Sequence, residues 1–353
     1  MNGNHDVVVH VSAQTDVGRT REHNEDTFLV ADLTKGTTDF LEAGTATVGP
    51  RGSLFLVADG MGGAAAGEIA SAMAADAIFQ HLRSTWTASG TDSPDDFTIH
   101  LREAVEVANE RIHRYAIEHP DARGMGTTAT VVGVFGGRLH LAQVGDSRAY
   151  MVRLGRAVQL TKDQSLIQRL IDAGELTEEQ AAQSERRNII LQALGPDARI
   201  RVDLTYQDLR RGDLLILCSD GLSGLVKRDE IAKVAAEQPD VAAIGNRLIE
   251  LANERGGPDN ITAVVVRFEG PALAEPSAGG ADLGYHIYPV PEPKTPGEEL
   301  AVAVEPPPPA LPSEPPPDAE VAPAPRRAGS PVVVAAIGAG ILLILLVLFL
   351  LIT

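Results

Sequence analysis

Proline decides how much of this chain can fold. Of 23 prolines, 17 lie between Pro271 and Pro331, and only six are scattered through the 270 residues before them. Proline locks its own φ and donates no backbone hydrogen bond, so residues 271–331 read as an extended, acidic, disordered linker. Residues 332–352 then carry no charge at all. At about 1.5 Å per residue they make a helix about 31 Å long, which matches the hydrocarbon core of a bilayer, and one transmembrane helix is expected there. Arg326 and Arg327 precede the span and only Thr353 follows it. Positive charge stays inside, so the expectation is a single-pass anchor in the cell membrane with the folded part in the cytoplasm. That folded part, residues 1–270, is long enough to bury a core without cross-links.

Charge and cysteine content narrow the function classes. The formal charge is −18, with 27 basic against 39 acidic residues up to Gly270 and 3 against 9 beyond it. Phosphate backbones are repelled by such a surface, so nucleic acid is not an expected partner. Cys218 is the only cysteine, which excludes an internal disulfide and a cysteine zinc cluster. Set among leucines, it reads as a buried structural thiol. The nine histidines show no ligand spacing.

Short apolar or β-branched runs closed by turn residues predict strands at 7–12, 27–30, 54–58, 214–218 and 261–268. Residues 127–135 and 138–144, joined by Gly136-Gly137, predict a hairpin that continues through 146–154. Helical spacing links Ile69, Met73, Ile78 and Leu82, then Phe97, Leu101, Ala104, Ala108, Ile112 and Tyr115, and later Val241, Ile244, Leu248 and Leu251. Strands come in antiparallel-looking runs with helices in long blocks, which excludes strict βαβ alternation. The fold class is α+β, with two antiparallel sheets packed together and helices outside. Residues 163–194 are more polar, carry a capping-box pattern at Thr177 and Gln180, and read as a helical insertion.

One pattern recurs through the folded part: an apolar strand runs straight into an aspartate and a turn residue. It occurs at Asp59-Gly60, at Gly145-Asp146 and at Asp220-Gly221, while Asp259-Asn260 opens the strand at 261 and Glu25-Asp26 the strand at 27. Each pair singly is a turn signal. If neighbouring strands gather these ends, five or six carboxylates share one sheet edge, and they need cations between them. Oxygen donors without histidine or cysteine select Mn²⁺ or Mg²⁺ over Zn²⁺. The glycines after Asp59 match neither a dinucleotide fingerprint, since no strand follows within a βαβ unit, nor a P-loop, since Glu68 stands in the lysine position. They let the backbone approach a metal, with the Gly60 carbonyl as a ligand. Arg21 either grips a phosphoryl group or pairs with a neighbouring carboxylate.

Taken together and in order, TDVGRTREHNED, VADGMGGAAAGEIAS, GMGTTATVV, VGDSRAYMVR, LTKDQS, LLILCSDGL and GGPDNITAVVV resemble the metal-dependent serine/threonine phosphatases of the protein phosphatase 2C family, over residues 7–268. The resemblance implies a four-layer α-β-β-α sandwich and hydrolysis of phosphoserine and phosphothreonine in proteins. It further implies that Asp59 bridges two metals with help from the Gly60 carbonyl, that Asp220 and Asp259 bind the first and Glu25 the second through water, and that Asp26 stands behind them. Asp146 would join Asp220 at a third, weaker metal, and Arg21 would take the substrate phosphate. Bacterial members of this kind counteract protein kinases from the membrane, which implies phosphoprotein partners including a Ser/Thr kinase. The competing function is a tethered, non-catalytic phosphoprotein-binding scaffold. Two positions depart from the family pattern: Met61 and Gln164 stand where many members have histidine.

Overall fold

In the computed structural model, residues 7–38, 43–62, 66–182, 184, 186, 188–277 and 283–289 are described. Along the chain run β1 (Val8–Asp16), β2 (Asp26–Asp32), β3 (Ala43–Thr47) and β4 (Ser53–Met61), then helices α1 (Ala66–Ser84) and α2 (Pro94–Glu118). Next come β5 (Gly126–Thr127), β6 (Ala129–Phe135), β7 (Arg138–Val144), β8 (Arg148–Arg153) and β9 (Arg156–Gln159), followed by the short helices α3 (Leu166–Asp172) and α4 (Glu178–Ala182). The remainder comprises β10 (Asp203–Asp208), β11 (Leu214–Cys218), α5 (Asp220–Ser223), α6 (Arg228–Glu237), α7 (Val241–Glu254), β12 (Ile261–Glu269) and β13 (His286–Ile287).

Two antiparallel sheets form, in the orders β3-β1-β12-β11-β8-β9 and β13-β10-β7-β6-β4-β2. Their strands read as continuous apolar runs because both faces are covered. In β4, Leu54, Leu56 and Ala58 pack under α1 and α2, while Phe55 and Val57 point into the layer between the sheets. In β12, Val264, Val266 and Phe268 enter that same layer, and Ile261, Ala263 and Val265 meet α6 and α7. Alternation at period two thus assigns each strand to two cores, and the result is the expected α-β-β-α sandwich. The expected helices are present, with Ala70, Ala74, Ile78 and Leu82 of α1 buried against Phe97, Leu101 and Ile112 of α2. The Gly136-Gly137 turn has φ of 61° and 74°, the positive pair that a two-residue hairpin of this hand requires.

The folded unit runs past Gly270, the boundary expected from proline density. Leu273 and Tyr288 are buried, β13 pairs with β10, and the Tyr288 hydroxyl donates to Asp95 at 2.6 Å. Prolines 271 and 276 are isolated here, and the aromatic at 288 finds a socket on the domain. The dense proline tract and the expected membrane helix at 332–352 lie outside the described residues. Among the described residues, no helix is long and apolar enough to cross a membrane.

Candidate active site

Antiparallel pairing puts the start of one strand beside the end of the next, and this gathers the acidic motifs at one edge of the sandwich. Cys218, the last residue of β11, pairs with Ala263 near the start of β12 and with Arg148 at the start of β8. Asp220, Asp259 and Asp146 therefore flank one end of the first sheet. In the second sheet Asp26 and Asp59 are direct cross-strand partners, and Asp146 follows β7 on the turn into β8.

The edge opens into a cavity of about 580 Å³ whose wall includes Arg21, Glu25, Asp59, Gly60, Asp220 and Asp259. Met61 lines it too, as do Asn188 and Ile190 from the 163–194 insertion. Asp26 and Asp146 are buried behind that wall. Arg21 donates to Asp259 at 2.8 Å from a half-exposed position, so of its two expected partners the carboxylate is the one it holds here.

Crowding shows in the acidities. Burial pushes the Asp59 carboxyl well above its usual range, and Asp26, Asp220, Asp146 and Asp259 add repulsion in that order. Burial likewise raises Asp220, reinforced by Asp259. Asp146 is pushed up to about 7 by burial and then by Asp220. Asp26 rises to about 7 through burial, although hydroxyl donors oppose it. Glu25 is raised by burial, with Arg21 pulling the other way. So many carboxylates cannot all ionise beside Arg21 and Arg148, the latter already paired with Asp163 at 2.6 Å, unless further cations join them.

Two atoms point to the same need. Asp26 Oδ1 and Asp146 Oδ1 are buried without a hydrogen-bond partner, an arrangement that costs about 1–3 kcal/mol per atom when nothing compensates it. The available donors are carboxylate and carbonyl oxygens, which suit hard divalent cations such as Mn²⁺ and Mg²⁺. On both grounds the residues present fit a metal centre.

Several supporting residues were not legible in the sequence. Asn260 accepts from the Glu25 amide at 2.8 Å and donates to the carbonyls of Val17 and His23 at 3.0 and 2.9 Å. It thereby fastens the segment carrying Arg21 and Glu25 to the start of β12. Ser219 and Thr262 each donate to Asp26 Oδ2 at 2.7 Å. The Asp59 amide donates to Thr128 Oγ1 at 3.0 Å, which fixes the end of β4. Gly60 is needed for close approach: a Cβ there would lie 2.2 Å from the Gly67 carbonyl oxygen and 2.5 Å from that of Glu25. Gln164, which stands where many members have histidine, receives the Gly145 amide on its side chain at 3.0 Å and returns its own amide to the Gly145 carbonyl at 2.9 Å. It thus holds the turn that presents Asp146.

A family model described as protein phosphatase 2C matches residues 39–264. The chain belongs to the protein phosphatase 2C family. It is 39% identical over 260 residues to the serine/threonine protein phosphatase PstP of Mycobacterium tuberculosis, covering 73% of this chain and 45% of that protein. The chain thus spans about half the length of this relative. It is 35% identical over 259 residues to a putative protein phosphatase 2C-type protein of Streptococcus pyogenes, covering 73% of this chain and 97% of that one. Among solved structures, the catalytic domain of the phosphatase PstP in complex with two manganese ions superposes with a TM-score of 0.61 at 36% identity, covering 74% of this chain and 99% of that one.

Proposed function

We propose that this protein hydrolyses phosphoserine and phosphothreonine esters in other proteins, using two Mn²⁺ or Mg²⁺ ions. The observation that carries the proposal is the convergence of Glu25, Asp59, Asp220, Asp259 and Arg21 on one cavity. In this reading Asp59 would hold both ions with help from the Gly60 carbonyl, Asp220 and Asp259 would hold the first, and Glu25 would hold the second through water. Asp26 would orient that set from behind, and Asp146 with Asp220 would hold a weaker third ion. When bound, the ions supply Lewis acidity and give water a pKa low enough to yield hydroxide near neutral pH.

The chain's own residues do the rest. Arg21 sits at the cavity wall on a half-exposed side chain, so it can exchange Asp259 for two phosphoryl oxygens and hold them bidentately. Ser219 and Thr262 keep Asp26 anchored through their hydroxyls while its other oxygen is left without a hydrogen-bond partner. Met61 is a thioether and donates no proton, so the proton for the departing alkoxide comes from elsewhere than this position. The deciding measurement is turnover of a phosphothreonine peptide with Mn²⁺ and with excess chelator. Turnover is expected only with metal, and equal rates would refute the proposal. Asp59→Asn should lower kcat by about 100-fold or more while leaving the metal-free melting temperature unchanged or higher, because one repelling charge is gone.

We further read residues 332–352 as a single membrane span holding the catalytic domain at the cytoplasmic face. The substrates are then phosphoproteins near that surface, a Ser/Thr kinase among them. The uncharged run and the paired arginines before it support this. Full-length protein should stay with membranes after alkaline carbonate washing, and a chain ending at residue 331 should not. Release of both would overturn the anchor.

A further inference from the structure

Outside the carboxylate cavity, one cluster has the donors of a different metal. His81, on the last turn of α1, faces His100 and Glu103, one helical turn apart on α2. Their ligand atoms all lie within 4.8 Å of one another, and no other trio of His, Cys, Asp or Glu among the described residues is so tightly grouped. Glu103 Oε2 is 3.3 Å from His100 Nδ1 and 3.9 Å from His81 Nε2. Ligands bound tetrahedrally to Zn²⁺ at about 2.0–2.1 Å stand about 3.3–3.4 Å from one another. Of the three edges one already has that length, the one from Glu103 to His81 exceeds it by about half an ångström, and the one between the two histidines is at most 4.8 Å, so side-chain rotation has to close the set.

The two nitrogens are otherwise unaccounted for. His81 Nε2 and His100 Nδ1 are buried atoms with no hydrogen-bond partner, the 3.3 Å approach of Glu103 being too poorly aligned to serve. Burial lowers the His81 pKa, Glu103 pulls the other way, and His100 and Arg111 add smaller repulsions of its protonated form. A neutral imidazole with a free lone pair is the metal-binding form. Arg111 is the opposing cation, and it is exposed enough for solvent to screen it.

We propose that His81, His100 and Glu103 form a zinc site that clips the end of α1 to the start of α2, with water completing the coordination. Two imidazoles and a carboxylate suit Zn²⁺, a borderline ion, whereas the oxygen-only cavity suits Mn²⁺ or Mg²⁺. The two sites are separate: His81 lies 14 residues along α1 from Gly67, which packs against Gly60 and Glu25, a helical distance of about 21 Å. The clip closes the turn between the two helices that cover the second sheet, so zinc sets the stability of that layer independently of the catalytic metals.

The test uses full-length protein saturated with Mg²⁺, with Co²⁺ as the optical probe. The expected result is one Co²⁺ per chain showing the intense visible absorption of a four-coordinate ion, bleached by Zn²⁺, together with a higher melting temperature in Zn²⁺. His81→Gln and His100→Gln should each lose both signals yet keep wild-type turnover with Mn²⁺, which shows that they fold. Glu103→Gln, at a 43% exposed side chain, should weaken Co²⁺ binding about tenfold or more, and Asp59→Asn should leave it unchanged. The proposal is overturned if wild type gives no such absorption, if it survives the histidine substitutions, if Glu103→Gln binds Co²⁺ as tightly as wild type, or if Asp59→Asn abolishes it.

Discussion

Arg21 and Asp259 are 238 residues apart in sequence and share one hydrogen bond across the cavity. The pair is partly exposed, so it contributes little to stability, and its value lies in what the guanidinium does when a phosphate arrives. Arg21→Ala is expected to lower kcat/KM for a phosphopeptide by about 10–100-fold, the factor that follows from losing a charge-assisted bond of about 1.5–3 kcal/mol, with the melting temperature barely changed. An unchanged kcat/KM would remove Arg21 from the site. Asn260 is the contrasting case, because its three bonds are structural and converge on the Glu25 segment. Asn260→Ala should cost about 2–4 kcal/mol in urea unfolding and raise the Mn²⁺ concentration for half-maximal rate; a normal metal response would show that Glu25 does not depend on this anchor. The carboxylates themselves were legible in the sequence, since a strand that runs into Asp-Gly is a local pattern. The role of Asn260 was not, because its partners lie 235 to 243 residues away.

Elements owe their positions to close packing that tolerates no added atoms. Gly133 in β6 lies under Phe97 of α2, and a Cβ there would meet the ring at 2.4 Å. The ring cannot yield, being set edge-on to Trp86 at 5.1 Å and stacked on Phe135 at 5.3 Å. Gly133→Ala is therefore expected to destabilise the protein by about 1–3 kcal/mol in denaturant unfolding, whereas Gly90→Ala, with open space around its Cβ, should be nearly silent. Equal stabilities would mean that α2 can slide on the sheet. Most elements could be read from period and turn signals. Strands β3, β9, β10 and β13 and helices α5 and α6 could not, since each is brief or mixed in polarity and gains its definition from a neighbouring strand or core. The capping box at 177–180 was legible and forms, with Gln180 Oε1 receiving the Thr177 amide at 2.9 Å and Thr177 Oγ1 the Gln180 amide at 3.3 Å.

At the scale of the whole molecule, acid should loosen the sandwich through a buried histidine. His140 of β7 bonds Thr98 of α2 at 2.7 Å and lies against Tyr288 from the C-terminal end of the folded unit. Burial, and then Arg138, lowers its pKa from 6.5 to about 3. Between these values the unfolded chain binds the proton and the folded one does not, so stability is full above about pH 6.5 and falls as pH drops toward 3. From pH 7 to pH 5 this residue should account for about 2 kcal/mol of lost unfolding free energy. His140→Leu should flatten the acid limb by that amount in urea titrations, and parallel limbs would assign the loss elsewhere.

Residues near one another in the chain determined the strands, the main helices, the linker composition and the inventory of carboxylates, because period, turn chemistry and charge act over a few positions. The histidines looked unconnected for the same reason: His81 meets His100 and Glu103 only when α1 folds back on α2. Which acids share a cavity, which oxygen of Asp26 is left unpaired, and where the folded unit ends were decided by the tertiary structure. Those outcomes depend on strand register between distant segments, such as Asp16 opposite Ile261, and register is settled by the packing of three cores at once.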